Sequence, residues 1–327
     1  MRKFLLVLST TALFSAGLLF PVGKTSAAEI STKEIMVGDY TIQQYADGRI
    51  KGISNPEILD NNQKIEGLKL IGYSDDEIKD LSPSMMDEIL EQGGIRVDEN
   101  YTNVQVSYTT LDGAEYPVNE RTKEKVKKLM VEDYKTTNLP FTRAVDQLLE
   151  EELISALNAS DGTSDNRMKI WGTVTYIGTT ANGKEYKYSL KNNFRWSETP
   201  FNVYKDTMGI SNHQKTVVVG TNGKYDLYDT NYNVWMNFGF HSIDEEIVGG
   251  TGVVDLRSYE GKHVGYLGNE GRIKATESGT TSVFHGAYSH AILPKVAIMA
   301  LSYFGIEIDG GLKYSYKKVY NVSKVDQ

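Results

Sequence analysis

The second half of this chain, residues 167–327, consists of short alternating segments separated by turn pairs that contain glycine. Segments 169–177 and 186–190 flank Asn182-Gly183, the strongest short-range signal for a β-hairpin. Further alternating runs lie at 215–220, 234–240, 252–256, 280–288, 295–303 and 312–322. This succession of short strands predicts an antiparallel β-sandwich or an open barrel.

The first half, residues 29–157, carries helix and turn signals instead. Ser74 followed by Glu77 has the spacing of a capping box, and Pro83 after Ser82 is typical of a helix start. Two later segments place apolar residues at helical spacing, namely Val126, Leu129, Met130 and Tyr134, and then Phe141, Val145, Leu149, Leu153 and Leu157. The first half is therefore predicted to be mainly helical.

Two shorter β features interrupt this helical region. Segments 40–45 and 49–53 are predicted to pair across the Asp47-Gly48 turn, and 101–111 alternates as a strand. A run of small polar residues at 158–166 is typical of a linker. The sequence thus predicts an α+β chain: a helical N-terminal region at 29–157, a linker at 158–166 and a β domain at 167–327.

The first 28 residues have the features of a secretory signal peptide. A basic start at Arg2 and Lys3 is followed by a mostly apolar stretch to Val22 and by small residues up to Ala28. We expect cleavage after Ala27 or Ala28, export from the cell, and no permanent membrane anchor afterwards. An uncleaved membrane anchor is the alternative.

Composition excludes several classes of function. The chain has 327 residues, no cysteine and a formal net charge of -8. Without cysteine there is no disulfide scaffold, thiolate metal site or cysteine nucleophile. Loss of the signal segment removes three basic residues and no acidic one, which leaves a net charge of about -11. Such an acidic chain is not expected to bind nucleic acid, which favours a basic excess.

Two stretches resemble uncharacterised secreted proteins of Bacillus-like Gram-positive bacteria. One is the segment 72–78, with Leu81 and Pro83 after it, and the other is 193–201 leading into 205–211. The positions that carry the second likeness are Trp196, Pro200, Asp206, Gly209, Tyr288 and His290. The resemblance implies export and a strand at 205–211, and it implies no particular chemistry.

Known catalytic and metal-binding motifs are absent. The sequence has no Gly-x-Ser-x-Gly, no His-Glu-x-x-His and no phosphate-binding loop. His285 and His290 are five residues apart, which places them on opposite faces of a strand. The oxygen-rich run from Asp226 to Asn233 lacks the glycine and closing glutamate of a calcium loop. We therefore predict no metal and no cofactor.

Two functional alternatives to binding stay open at this point. Asp244, Glu245, Glu246 and Asp255, with Trp235 beside them, are compatible with a secreted hydrolase whose site is not recognisable from the sequence. The small, alternating segment 278–287 is compatible with a pore-forming, toxin-like protein in which the N-terminal region is a pro-region. A core strand of a sandwich produces the same pattern.

Aromatic residues give the favoured function. The chain has 21 tyrosines, and its three tryptophans all lie beyond residue 158. Exposed flat rings are common anchors for sugars and proteins. The sequence therefore favours a secreted, non-enzymatic binding protein for cell-wall glycan or another extracellular protein. Its candidate ligand-binding residues are Trp196, Tyr228, Tyr232 and Trp235.

The signal segment generates the first prediction. When the full chain is expressed in a Gram-positive host, we expect the exported species to begin at Ala28 or Glu29, because signal peptidase cuts after small residues. N-terminal sequencing or intact mass of the culture supernatant measures this. A cell-retained species that still carries its first thirty residues would contradict it.

Overall fold

Two antiparallel sheets packed face to face form the body of the protein, as the sequence predicts, and a helical layer covers the outer face of one of them. The computed structural model describes residues 32–322 apart from 99–102, 161–166, 202, 204, 214 and 294–309. The predicted signal peptide, most of the predicted linker and the predicted strand at 295–303 lie outside the described residues. The α+β class with helices mainly in the first half is confirmed.

The helical layer comes first in the chain. It consists of a two-stranded hairpin, β1 (Thr32–Val37) and β2 (Tyr40–Tyr45), a 3-10 turn (Pro56–Ile58), α1 (Asn61–Ile71), α2 (Asp75–Ile78), α3 (Pro83–Gln92) and the short β3 (Ile95–Arg96). Both predicted helix starts are confirmed: Ser74 and Glu77 form a reciprocal capping box, and Ser82 accepts from the backbone of Met85.

The predicted pairing of 40–45 with 49–53 is confirmed next to the turn, where Tyr45 N–H donates to the Arg49 carbonyl oxygen and Lys51 N–H donates to the Gln43 carbonyl oxygen, both at 2.8 Å. The turn at Asp47-Gly48 is present, with Gly48 at φ 83°, but the longer partner of β2 is β1, which pairs with it along its whole length. Ile50 forms isolated bridges to Gln44 and to Gly94. A favourable turn pair therefore sets the direction of the chain here without setting its main strand partner.

The middle of the chain adds β4 (Val104–Thr109), β5 (Glu115–Pro117), α4 (Lys123–Thr136) and α5 (Arg143–Ser160). Ten strands follow: β6 (Met168–Thr179), β7 (Glu185–Trp196), β8 (Lys205–Asn212), β9 (Val217–Asp229), β10 (Val234–Asn237), β11 (Ser242–Glu246), β12 (Gly249–Asp255), β13 (Gly261–Lys274), β14 (Thr280–Ala291) and β15 (Gly311–Val322).

Strands from both halves of the chain join the two sheets. The six-stranded sheet has the order β10-β9-β13-β7-β6-β3, and the seven-stranded sheet has the order β11-β12-β8-β14-β15-β4-β5. β3 pairs with β6, and β4 pairs with the last strand, β15. The first half thus supplies edge elements to each sheet, and the predicted boundary at 158–166 stays a prediction.

The two sheets enclose an aromatic core, and Asn192 is one of the polar side chains that link them across it. Alternate residues of β7 point inward, and Phe194 and Trp196 among them are fully buried. Asn192, on the same face, donates its Nδ2 to the carbonyl oxygens of Gly209 (3.0 Å) and Ala287 (2.8 Å) in the opposite sheet. Tyr316 donates its hydroxyl to the Asn192 Oδ1 at 2.9 Å. A buried amide is stable only when it is paired in this way.

Ion pairs attach the helical layer to the outer face of the six-stranded sheet. Asp80, which is 1% exposed, lies within 4 Å of three cations: its carboxylate oxygens are 2.8 Å from Lys169 Nζ, 3.6 Å from Arg195 Nε and 3.6 Å from Lys262 Nζ. Ser82, next to the start of α3, donates to the buried carboxylate of Asp226 on β9. The layer is therefore held in one position on the sheet.

A second buried ionic cluster joins the layer to the end of the sandwich. Asp98 is 2.7 Å from Arg96 Nε and 2.8 Å from Lys318 Nζ, and it also accepts from the backbone N–H of Val174 at 2.9 Å. Arg96 pairs in turn with Glu77 at 3.1 Å. The four charged side chains are almost fully enclosed, so each depends on the others for compensation.

The cluster around Asp98 generates the second prediction. Asp98→Asn removes the buried carboxylate that Arg96 and Lys318 share, so we expect it to lower the free energy of unfolding by about 3–5 kcal/mol. Urea denaturation measures this change. Asp76→Asn is the control, because Asp76 pairs with Lys79 on the exposed surface and should change stability little. Equal effects from both substitutions would contradict the assignment.

Candidate functional site

The β9–β10 hairpin holds two of the predicted aromatic residues together. Tyr228 and Trp235 are direct cross-strand partners, with ring centroids 5.3 Å apart and planes inclined by 50°. The turn between them is ordered by Asp229, whose Oδ1 accepts from the backbone N–H groups of Asn231 (2.8 Å) and Tyr232 (3.1 Å). Asn233 adopts a left-handed φ of 54°, which Asn tolerates better than most residues.

The three hairpin aromatics differ in exposure. Tyr232 at the tip of the turn is 78% exposed. Tyr228 and Trp235 are partly buried, and Trp235 also packs against the apolar cluster of the helical layer. The pair therefore rests on a fixed support, while Tyr232 extends beyond it. We call Tyr228, Tyr232 and Trp235 the aromatic hairpin.

Trp196, the fourth predicted residue, lies elsewhere and is fully buried. Its Nε1 donates to the Tyr288 hydroxyl at 3.0 Å, and Tyr288 donates in turn to Asp206. Its ring also contacts His290, with centroids 4.8 Å apart. Trp196 therefore presents no surface to a ligand and belongs to an internal hydrogen-bond network.

This network brings together Trp196, Asp206, Tyr288 and His290, four of the positions that carry the second resemblance. His290 Nδ1 lies 2.9 Å from Asp206 Oδ2, and its Nε2 lies 3.9 Å from Glu152 Oε2 on α5. Arg167 Nη1 donates to Glu152 at 3.1 Å. The imidazole is held between two carboxylates, and the side chains of His290, Asp206 and Glu152 are fully buried. The arrangement joins α5 to both sheets and offers no open nucleophile.

The pKa values of the two buried histidines, His290 and His263, are shifted in opposite directions. Burial alone lowers the pKa of His290, but the charges of Asp206 and Glu152 outweigh burial and raise it above the ordinary value. His263 is near no such charge: its ring nitrogens lie 2.7 Å from the Tyr225 hydroxyl and 3.1 Å from Thr199 Oγ1. Burial therefore lowers the pKa of His263 to about 4.

A polar cleft lies between α3 and the outer face of the six-stranded sheet. Its volume is about 280 Å³, and its lining residues are almost all polar or glycine: Glu88, Gln92, Ser189, Lys191, Val219, Gly220, Thr221, Asn222, Gly268, Asn269 and Glu270. None of them was singled out from the sequence. The cleft is assembled from α3, β7, β9 and β13, which are far apart in the chain, and no local motif marks such a site.

Both carboxylates of the polar cleft are paired with cations. Glu88 lies 3.0 Å from Lys191 Nζ and 3.7 Å from Lys224 Nζ, and Tyr266 donates its hydroxyl to it. Burial raises the pKa of Glu88, but Lys191 and its other partners outweigh burial and bring the pKa below the usual range. A glycosidase needs a carboxylic acid with a raised pKa. Glu88 is therefore suited to holding charge rather than to donating a proton.

The described part of the chain contains neither a metal-binding cluster nor a membrane-spanning helix. No group of three or more His, Asp or Glu residues in that part of the chain is arranged to hold a metal ion. No helix described in the structure combines the length and the apolar character needed to cross a membrane.

Comparison with known proteins gives weak structural similarity and no sequence match. No protein-family model and no curated protein matches the chain. Among solved structures, the collagen-binding subdomain ACE19 of the Enterococcus faecalis surface protein ACE aligns with 45% of this chain and 94% of its own length, at 7% identity and a TM-score of 0.26. A similarity this low carries no argument about function.

The two buried histidines generate the third prediction. His290 binds its proton more tightly in the folded state, so its contribution to stability is complete below the unfolded pKa of about 6.5 and is lost as pH rises through its folded pKa. His263 behaves oppositely, and its contribution is lost as pH falls from about 6.5 to about 4. NMR titration of the imidazole signals measures both. A His263 signal that titrates near 6.5 would contradict this assignment.

Proposed function

We propose that this chain is an exported, non-enzymatic protein that binds cell-wall glycan through the aromatic hairpin. The observation that carries the proposal is the cross-strand Tyr228–Trp235 pair with Tyr232 standing 78% exposed beside it. Flat rings provide a large contact area for the apolar faces of sugar rings at low entropic cost.

The support beneath the rings favours binding. Asp229 fixes the turn, the Tyr228 hydroxyl donates to Asn233 at 3.2 Å, and Trp235 packs against the helical layer. Rings that are already held in place lose little conformational entropy when a ligand binds. The hairpin is thus a preorganised surface, which a polymer such as a glycan chain can approach from solvent.

Two observations support binding over catalysis. The Asp206–His290 pair is fully buried, and the hydrogen bonds of this imidazole run to a carboxylate and not to a serine. In the polar cleft, Glu88 is an ion-paired carboxylate with a lowered pKa. The proposal of export rests on the sequence of residues 1–28, which has the charge, apolar stretch and cleavage site of a signal peptide.

The aromatic hairpin generates the fourth prediction. The mature protein should sediment with insoluble Gram-positive cell walls, and Tyr232→Ala should weaken this binding about tenfold, which corresponds to about 1.4 kcal/mol. Trp235→Ala should weaken it at least as much, with a lower Tm because Trp235 also packs internally. Depletion of the protein from solution over a range of wall concentrations gives the affinity.

Tyr259→Ala is the matched control, because Tyr259 is 50% exposed but lies outside the hairpin. It should bind as the wild type does. Retention of full binding by Tyr232→Ala, or equal losses in Tyr232→Ala and Tyr259→Ala, would argue against the hairpin as the site. Release of soluble sugars from the walls by the wild type would show a hydrolase instead.

A further inference from the structure

The polar cleft is separate from the aromatic hairpin and has its own chemistry. We propose that it is a second binding site, which takes a small hydroxylated anion: a sugar or polyol that carries a phosphate or carboxylate group. This site goes beyond the proposed function, since it uses none of the hairpin residues. Along β9 the cleft residue Asn222 and the hairpin residue Tyr228 are six positions apart, which is about 20 Å in a strand.

Basic and acidic side chains surround the cleft in unequal number. Glu88 faces Lys191 and Lys224, and Glu270 faces Arg272 at 2.8 Å and Lys187 at 3.6 Å. A third carboxylate, Glu245, accepts from the backbone N–H of the lining residue Thr221 at 2.8 Å. Four cations therefore meet three carboxylates here, in a chain whose net charge is -8. An added anion would meet an excess of positive charge.

Lys191, which lines the cleft, is a buried cation. Its side chain is 7% exposed, its Nζ lies 4.0 Å from the centre of the Tyr266 ring, and Glu88 is its one ion-pair partner among the described residues. Burial lowers the pKa of Lys191 below its usual range despite Glu88. A buried ammonium in this state gains from a further negative group within reach.

The cleft also contains a hydroxyl group that lacks a hydrogen-bond partner among the described residues. Ser189 lies on β7, lines the cleft and is 6% exposed. Its Oγ has no hydrogen-bond partner among the described residues. An enclosed hydroxyl without a partner is unfavourable, and a ligand oxygen in the cleft would supply one. Gln92, Thr221 and Asn222 add side-chain amide and hydroxyl groups to the same lining, which suits a hydroxylated carrier.

A glycine in β13 contributes to the open volume of the cleft. Gly268 on β13 pairs with Lys191 on one side and Asn222 on the other. A Cβ atom there would lie 3.0 Å from the Leu190 carbonyl oxygen and 3.1 Å from Lys191 Cγ. The absent side chain leaves a gap in the outer face of the sheet. At about 280 Å³ the cleft is small for a ligand pocket, so it fits a single sugar or polyol unit rather than a polymer.

The binding test generates the fifth prediction. Isothermal titration calorimetry at constant ionic strength compares glucuronate, glycerol 3-phosphate, inorganic phosphate, glucose and glycerol on the mature protein. We expect the two hydroxylated anions to bind best, inorganic phosphate more weakly, and the neutral compounds not at all. The anion with the higher affinity then shows whether a carboxylate or a phosphate is preferred.

Substitutions in the cleft should change the affinity for the anion in opposite directions, depending on the charge that they remove. Lys224→Met removes a cation and should weaken the better anion about tenfold, whereas Glu88→Gln removes the competing carboxylate and should strengthen binding several-fold. Ser189→Ala should weaken binding about threefold with no change of charge. Lys215→Met is the control, because Lys215 is not a lining residue of the cleft and its Nζ pairs with Glu277 at 2.6 Å.

Several results would overturn this proposal. Absence of binding by every anion at millimolar concentration would do so, as would glucose binding as tightly as glucuronate. Equal effects of Lys224→Met and Lys215→Met would show general screening rather than a site. If Glu88→Gln unfolds, Lys224→Met and Ser189→Ala still decide the outcome. If Tyr232→Ala loses wall binding but still binds the anion, the anion site in the cleft is independent of the hairpin. The two proposals can therefore be refuted independently of each other.

Discussion

The ionic contact between the helical layer and the outer face of the six-stranded sheet is the interaction on which the surface of this protein depends. Asp80 and Glu88 reach from the α2–α3 region to five basic side chains of the sheet. Breaking such a contact leaves buried charge without compensation, whereas forming it fixes the layer in one place. The position of α3 then determines both the polar cleft beside it and the support beneath Trp235.

The interior of the sandwich contains polar groups that are buried between the two sheets. Its sheets meet through many tyrosines, and a buried tyrosine hydroxyl group is more stable when it is paired. Asn192 and Asp206 serve this need, since each accepts from a tyrosine and reaches the opposite sheet or a neighbouring strand. The positions Trp196, Tyr288 and His290 meet in this network. Those sequence signals therefore mark a buried polar arrangement in the core, apart from the aromatic hairpin.

Local patterns predicted the elements that depend on local interactions. The caps at Ser74 and Ser82, the helices α4 and α5 and the Asn182-Gly183 hairpin all follow from residues within a few positions of one another. β11 and β13 were missed: β13 contains Gly261, Gly265, Gly268 and Gly271, which resemble turn residues in sequence. These glycines are needed because neighbouring backbone or rings occupy the space, as at Gly265, whose Cβ would meet the Phe194 ring. Only the packed sheet shows this.

The sequence by itself determined the class of fold, the helical first half, the strand-rich second half and the aromatic residues of the β9–β10 hairpin, because periodicity and turn chemistry act over short distances. It could not separate the buried Trp196 from the partly exposed Trp235, since exposure depends on which sheet face is covered. Tertiary structure alone decided that strands of the first half join both sheets, and that Glu88, Ser189, Lys191 and Asn222 line one cleft. These residues come from separate elements, and only long-range packing brings their charges and hydrogen-bonding groups together.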